Sequence, residues 1–314
     1  MLKIDPALFR PEAVSPETRA HVEALEAALA VAPKPHETPV EASRQARIEG
    51  RGVFPPAGPL PGSEWVKAPT VPGRARLTPA PGAPTGLYIH IHGGGWTLGL
   101  PDQYDRWNQH LAQETGCAVL SIQYRLAPEN PWPACAEDCE AGAVWALEEA
   151  ARMGASRVVI GGESAGAHLS VVTLLRLRAR GMAGRIAGAN LSYGVFDVGL
   201  TPSARNWGAR QLVLSTPTMD WFSGNLGPVD KTSPEVSPLR ADLSGMPPAL
   251  FQVGTEDPLM DDSLLMAARW AASGVEARLE VHPGGVHGFD MFDIGIGRAA
   301  RANSAAFLKA CFAA

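Results

Sequence analysis

From residue 87 onward the chain alternates short apolar runs with longer helix-forming stretches, and this rhythm restricts its fold more than any other feature. The runs fall at residues 87–91, 118–122, 158–160, 186–191, 249–253 and 277–281, each short enough for a buried strand. Helix-forming stretches occupy 103–114, 134–152, 165–180, 258–272 and 298–313. Strands linked through helices pair in parallel by crossing over the sheet, so the pattern predicts an α/β fold: a mostly parallel central sheet flanked by helices. With 314 residues, 46% of them apolar, the chain has material for one such domain and an accessory element.

Two regions fall outside the rhythm. Between 191 and 249 no strand can be drawn, and a stretch of that length exceeds an ordinary connection. Near the start, residues 17–32 place Val22, Leu25 and Leu29 on one helical face. Both are expected to cover the carboxyl ends of the strands, where open α/β sheets bind ligands. Residues 50–84 hold 15 glycines and prolines, with β-like pieces only at 64–67 and 74–77, and read as loops with edge strands.

The net charge of −5 provides no footprint for nucleic acid or an anionic membrane, and neither partner is expected. No apolar run reaches the ~18 residues of a membrane span, and the first residues, Met1 to Pro6, carry charge and proline where a signal peptide needs apolar sequence. A cytoplasmic location is the expectation. Four cysteines without a CxxC pair make no disulfide framework; Cys135 and Cys139, four apart in a helix, read as packed thiols. His90 and His92 share a strand face but no further ligand cluster follows, so neither a metal nor another cofactor is expected.

The chemistry concentrates at strand ends. Gly162-Glu163-Ser164-Ala165-Gly166 follows a strand and precedes a helix, the context of a nucleophile elbow, in which small flanking residues let a serine stand above the sheet. His92-Gly93-Gly94-Gly95 follows another strand, and glycines there free backbone N–H groups to bind an oxyanion. The two motifs are complementary, because a serine attacking a carbonyl creates such an oxyanion. A general base should come later in the chain. His287, in Gly284-Gly285-Val286-His287-Gly288-Phe289, lies in a flexible loop, whereas His282 ends a strand and can simply cap it. Asp257 follows the 249–253 strand and suits the orienting acid; Glu256, Asp261 and Asp262 compete, but the last two fall inside the helix and read as a solvated acidic face or as first-turn dipole partners.

His92-Gly93-Gly94-Gly95-Trp96, Tyr124-Arg125-Leu126-Ala127-Pro128-Glu129, Gly162-Glu163-Ser164-Ala165-Gly166, Asp257-Pro258-Leu259 and His287-Gly288-Phe289 together resemble, in order and approximate spacing, the bacterial hormone-sensitive-lipase-like esterases. The resemblance covers roughly residues 60–310. It implies an α/β-hydrolase fold with a helical cap, hydrolysis of short-chain carboxylic esters by Ser164, His287 and Asp257, and oxyanion donors at Gly94, Gly95 and Ala165. The implied division is an N-terminal cap segment 1–48, a catalytic domain 49–196 and 236–314, and a cap insertion 197–235. Trp96, Trp207, Trp221 and Phe222 are candidates for the pocket, and dimers through the last strand and helix are common in similar proteins. The same triad would serve an amide, arylformamide or lactone hydrolase. A non-catalytic receptor on this fold would lack the histidine that stands here at 287. The chain departs from the commoner members at Glu163, where they carry Asp or Thr, and at Ala167-His168, which replaces a frequent Gly-Asn. His168, one helical turn beyond Ser164, reads as structural.

Overall fold

The computed structural model describes residues 2–314. Helix α1 (Pro16–Ala30) starts where the Ser15 side chain accepts from the Thr18 N–H, with proline at its first position. Helix α2 (Val40–Ile48) follows. The strands are β1 (Glu64–Lys67), β2 (Arg74–Thr78) and β3 (Leu87–Ile91). From there strands and helices alternate: α3 (Asp105–Thr115), β4 (Ala118–Ile122), α4 (Ala134–Met153), β5 (Val158–Glu163), α5 (Ala165–Ala179) and β6 (Gly188–Ser192). Two short helices, α6 (Pro202–Asn206) and α7 (Thr216–Asn225), occupy the strandless region. The chain ends with β7 (Ala249–Glu256), α8 (Met260–Ala272), β8 (Ala277–Val286) and α9 (Gly295–Ala313).

The eight strands form one sheet in the order β1-β2-β4-β3-β5-β6-β7-β8. Contacts from β4 to β8 are parallel, while β1–β2 and β2–β4 are antiparallel. Alternation along β3 sorts its side chains. Leu87, Ile89 and Ile91 join the main core with residues of α4, α5 and α8, whereas Tyr88 joins a smaller cluster with Ala112, Leu308 and Cys311 of α3 and α9. Helices therefore cover both faces, and each fully buried Leu or Ile contributes ~1.5–3 kcal/mol.

Strand β8 runs five residues past its predicted end and carries Gly284 and Gly285 within the sheet rather than in a loop. The cause is close approach to β7: a Cβ on Gly254 would sit 1.9 Å from the Gly285 carbonyl oxygen. A register shift between Gly254 and Glu256 accompanies it.

The N-terminal segment and the α6–α7 region meet above the sheet. Arg210 pairs with Glu26 of α1 at 2.8 Å, and His36 Nδ1 lies 3.0 Å from the Thr218 hydroxyl on α7. Arg44 on α2 forms a two-pronged pair with Glu129 and donates to the Thr97 and Ala127 carbonyls. Glu129 thus holds α2, while the turn from Tyr124 to Glu129 is fixed by Arg125 with Asp138 and Glu137. The foot of the α6–α7 region rests on Asp262. This residue is fully buried, not a solvated helix acid, and accepts from the Phe196 and Asp197 N–H groups and the Thr201 hydroxyl.

Candidate active site

Strand β5 delivers Ser164 to the top of the sheet in an unusual conformation, φ 58° and ψ −121°. Its N–H donates to the Ser192 carbonyl of β6 at 2.9 Å, so the sheet's own ladder holds the turn in place. The elbow can form only because Gly162 and Gly166 lack side chains: a Cβ on either would come within 1.9 Å of the Ile91 carbonyl oxygen.

The sheet ends bring three distant residues together. His287 Nε2 lies 2.8 Å from Ser164 Oγ, and His287 Nδ1 lies 2.9 Å from Asp257 Oδ2. His287 and Asp257 are buried, at 5% and 2% exposure, so this polar chain is shielded from bulk water. The second Asp257 oxygen accepts from the Leu259 N–H, which fixes the carboxylate plane. Tyr193 packs edge-on against the His287 ring at a centroid distance of 4.9 Å. A neutral imidazole with its proton on Nδ1 satisfies both contacts, donating to Asp257 and accepting from the Ser164 hydroxyl.

Beside Ser164, the glycine turn after β3 has Gly94 at φ 124° and Gly95 at φ 58°. Only glycine fits at Gly94, where a Cβ would stand 2.0 Å from the Leu98 carbonyl oxygen. Among the described residues, no acceptor is found for the N–H groups of Gly94, Gly95 or Ala165. Ala165 opens α5, so its N–H adds the positive end of the helix to the same place.

The remaining histidines have other work. Burial lowers His92 to about 3; its Nδ1–H donates to the Gly93 carbonyl at 2.9 Å and its ring stacks on Tyr124, shaping the glycine turn. Burial likewise lowers His168 to about 4, and it bridges the Trp96 indole N–H to the Val236 carbonyl. His282, lowered to about 4 by burial, faces Gln252 rather than Ser164. His90 is bonded to Ser121 at 2.7 Å and to Glu163 at 3.0 Å, so its two ring nitrogens face a hydroxyl and an acid.

Two cavities meet at Ser164. One, of about 110 Å³, is lined by His287, Glu163, Tyr104 and Arg47 among others and opens into a groove of about 580 Å³ beneath α2. The other, of about 30 Å³, is a smaller chamber between Trp96, Val198, Leu200, Met219 and Phe222. Trp96 and Phe222 therefore line the cleft, but Trp207 and Trp221 do not. The Trp207 indole donates to the Arg210 carbonyl under the Arg210 guanidinium, and Trp221 packs against the Phe222 ring from α7. Adjacent positions on a helix point ~100° apart, so Phe222 facing the cleft turns Trp221 away. Tyr104, Tyr193 and Arg47 escaped sequence reasoning because no local pattern marks them; only the folded chain brings them to the cleft.

A sheet of this order, with an elbow serine after β5 and a histidine after β8, defines the α/β-hydrolases, and a family described as having the alpha/beta hydrolase fold matches residues 88–291. Within that class the chain belongs to the hormone-sensitive-lipase-like esterases. It is 39% identical to the carboxylic ester hydrolase LipN of Mycobacterium tuberculosis over 246 residues, 74% of this chain and 65% of LipN, just under two thirds of that relative. With the carboxylesterase NlhH of the same organism it shares 33% identity over 69% of this chain and 70% of NlhH. Among solved structures, the hyperthermophilic esterase from the archaeon Pyrobaculum calidifontis superposes with a TM-score of 0.83 at 29% identity, covering 96% of this chain and 99% of that one. A hormone-sensitive lipase from a metagenome library gives 0.84 at 27% identity, covering 94% and 98%.

Proposed function

We propose that the protein is a serine carboxylesterase that cleaves short-chain esters through an acyl-enzyme on Ser164. The observation that carries this reading is the continuous chain Asp257–His287–Ser164, at 2.9 and 2.8 Å, beside three unpartnered N–H groups. His287 takes the hydroxyl proton as Ser164 attacks the ester carbonyl, and Asp257 stabilises the imidazolium that results. The carbonyl oxygen becomes an anion held by the N–H groups of Gly94, Gly95 and Ala165. His287 then gives its proton to the departing alcohol. Water, deprotonated by the same imidazole, attacks the acyl-enzyme and releases the acid.

Proton delivery also orients the substrate. The leaving oxygen must lie within reach of His287, which lines the wide cavity and is absent from the chamber. The alcohol portion therefore occupies the wide limb, and the acyl tail enters the 30 Å³ chamber, which has room only for a short chain. Ethyl acetate hydrolase is the name of one relative, from Pseudomonas putida, 31% identical over 64% of this chain and 65% of that protein.

Residues 1–48 and 197–235 act in this reading as a two-part cap on the catalytic domain formed by 49–196 and 236–314, supported by the Arg210–Glu26 and His36–Thr218 contacts. The four buried, unpaired cysteines suit the cytoplasm, and the free edge of β8 is the expected place for self-association into a homodimer. No helix among the described residues is long and apolar enough to cross a membrane. The decisive experiment compares p-nitrophenyl acetate and butyrate turnover by the wild type and Ser164→Ala. Loss of activity with the serine supports the assignment; equal rates overturn it.

A further inference from the structure

Among the described residues, one cation of the wide limb has no acidic partner. Arg44 and Arg47 sit one turn apart on α2, and their environments differ sharply. Arg44 has both edges of its guanidinium engaged by Glu129 and two carbonyls. Arg51, at the far end of the groove, is paired with Glu49. Arg47 is half-buried in the cavity that contains Ser164 and His287, and among the described residues its guanidinium has one partner, the Tyr104 hydroxyl, at 3.2 Å. A guanidinium has five donors in a planar fork, so most of its hydrogen-bonding capacity faces the limb.

Glu163 is the acidic side chain lining the cavity that Arg47 shares with Ser164. It does not satisfy Arg47: no ion pair forms between them, and the Glu163 carboxylate lies 3.0 Å from His90 Nε2 on β3. Much of the surrounding wall is apolar, including Val53, Phe54, Leu98, Val213 and Met291. A partly desolvated arginine among such residues makes a strong, geometrically selective contact with a carboxylate, the planar group its fork matches.

Resting on the esterase reading and on its placement of the alcohol in this limb, we propose that Arg47 selects esters whose alcohol portion carries a carboxylate. The substrate class is then the short-chain acyl ester of a hydroxy acid, with the acyl tail in the chamber and the carboxylate on Arg47. No new chemical step is required, because the bond cleaved is the one Ser164 attacks. Arg47 binds the leaving half and takes no part in proton transfer.

The test uses two matched pairs, 4-acetoxybenzoate with 4-acetoxybenzamide and 6-acetoxyhexanoate with 6-acetoxyhexanamide. For each pair the ratio of kcat/KM, carboxylate over amide, is measured in the wild type, Arg47→Gln and Arg47→Glu. Taking the ratio within each variant cancels losses from altered folding, and comparing that ratio between variants cancels intrinsic differences in leaving-group reactivity. In at least one pair, Arg47→Gln should lower the ratio about tenfold, the order expected for loss of a charge-assisted hydrogen bond, and Arg47→Glu should lower it further. Ratios unchanged by both substitutions in both pairs overturn the inference while leaving the esterase reading intact, provided the neutral amides are hydrolysed at the acetate. If wild type hydrolyses none of the four acetates, nor p-nitrophenyl acetate, the underlying reading fails instead and takes this inference with it.

Discussion

Ser164 and His287 are 123 positions apart in sequence, yet their Oγ and Nε2 atoms lie 2.8 Å from one another. The contact depends on two strand ends reaching the same height: β5 ends in the elbow, and β8 extends through two glycines until His287 clears the sheet. Neither strand is adjacent to the other, since β6 and β7 lie between them. Rigid elements on a common sheet thus set a geometry that a mobile loop would hold poorly.

If His287 is the base and Asp257 its support, their substitutions should differ in kind from a simple loss of stability. Asp257→Asn is expected to keep the fold but lower kcat by roughly 10⁴, because the amide cannot stabilise the imidazolium and favours the wrong tautomer. Steady-state kinetics beside a circular-dichroism melt would check this. A fall in kcat smaller than tenfold with an unchanged melt would remove Asp257 from its proposed role.

At Gly94 a methyl group is excluded on two grounds, φ 124° and a contact of 2.0 Å with the Leu98 carbonyl oxygen. Gly94→Ala should therefore rotate the peptide and misdirect an oxyanion donor, with kcat falling about 10²–10³-fold. Because Ser164 stays in place, stoichiometric labelling by a small fluorophosphonate should survive at a reduced rate. Undiminished ester turnover would argue against this N–H as a donor.

Met219 lines the small chamber and is 6% exposed. Met219→Ala should enlarge the acyl site and raise kcat/KM for p-nitrophenyl hexanoate relative to the acetate, by about tenfold if two methylenes become buried at ~0.8 kcal/mol each. The same change should lower stability by ~2–5 kcal/mol. An acetate-to-hexanoate ratio that does not move would place the acyl chain elsewhere.

Asp290 offers a pH test. Burial pushes its carboxyl up to about 6, even though it accepts from the Tyr193 hydroxyl at 2.5 Å. With the folded value above the unfolded one, the folded state binds the extra proton: the stabilisation is complete below about pH 4 and lost as pH rises through about 6. Asp290→Asn should remove this component. Denaturant titrations at pH 4 and 7 should show the wild type losing up to about 3 kcal/mol more than the variant across that interval. Identical slopes would mean Asp290 titrates normally. Asp262, raised by burial to about 7, is common to both proteins and cancels in the comparison.

The strand and helix alternation, the elbow glycines and the glycine turn were legible in the sequence, because each rests on a local requirement: alternating burial, tight turning or close backbone approach. For the same reason Ser164, His287 and Asp257 could be named as candidates from their places at strand ends. What depends on packing was not legible. The β8 extension arises from two glycine-bearing strands approaching each other, the burial of Asp262 from the loop after β6 folding onto α8, and the exclusion of Trp207 and Trp221 from the cleft from how α6 and α7 are turned. Arg47 belongs to the same group. A polar helix says nothing by itself about which arginine will meet Glu129 and which will face an open limb. Sequence determines where the chain can turn and which faces it must bury; tertiary structure alone decides which buried or half-buried charge finds a partner, because that depends on residues brought in from elsewhere in the chain.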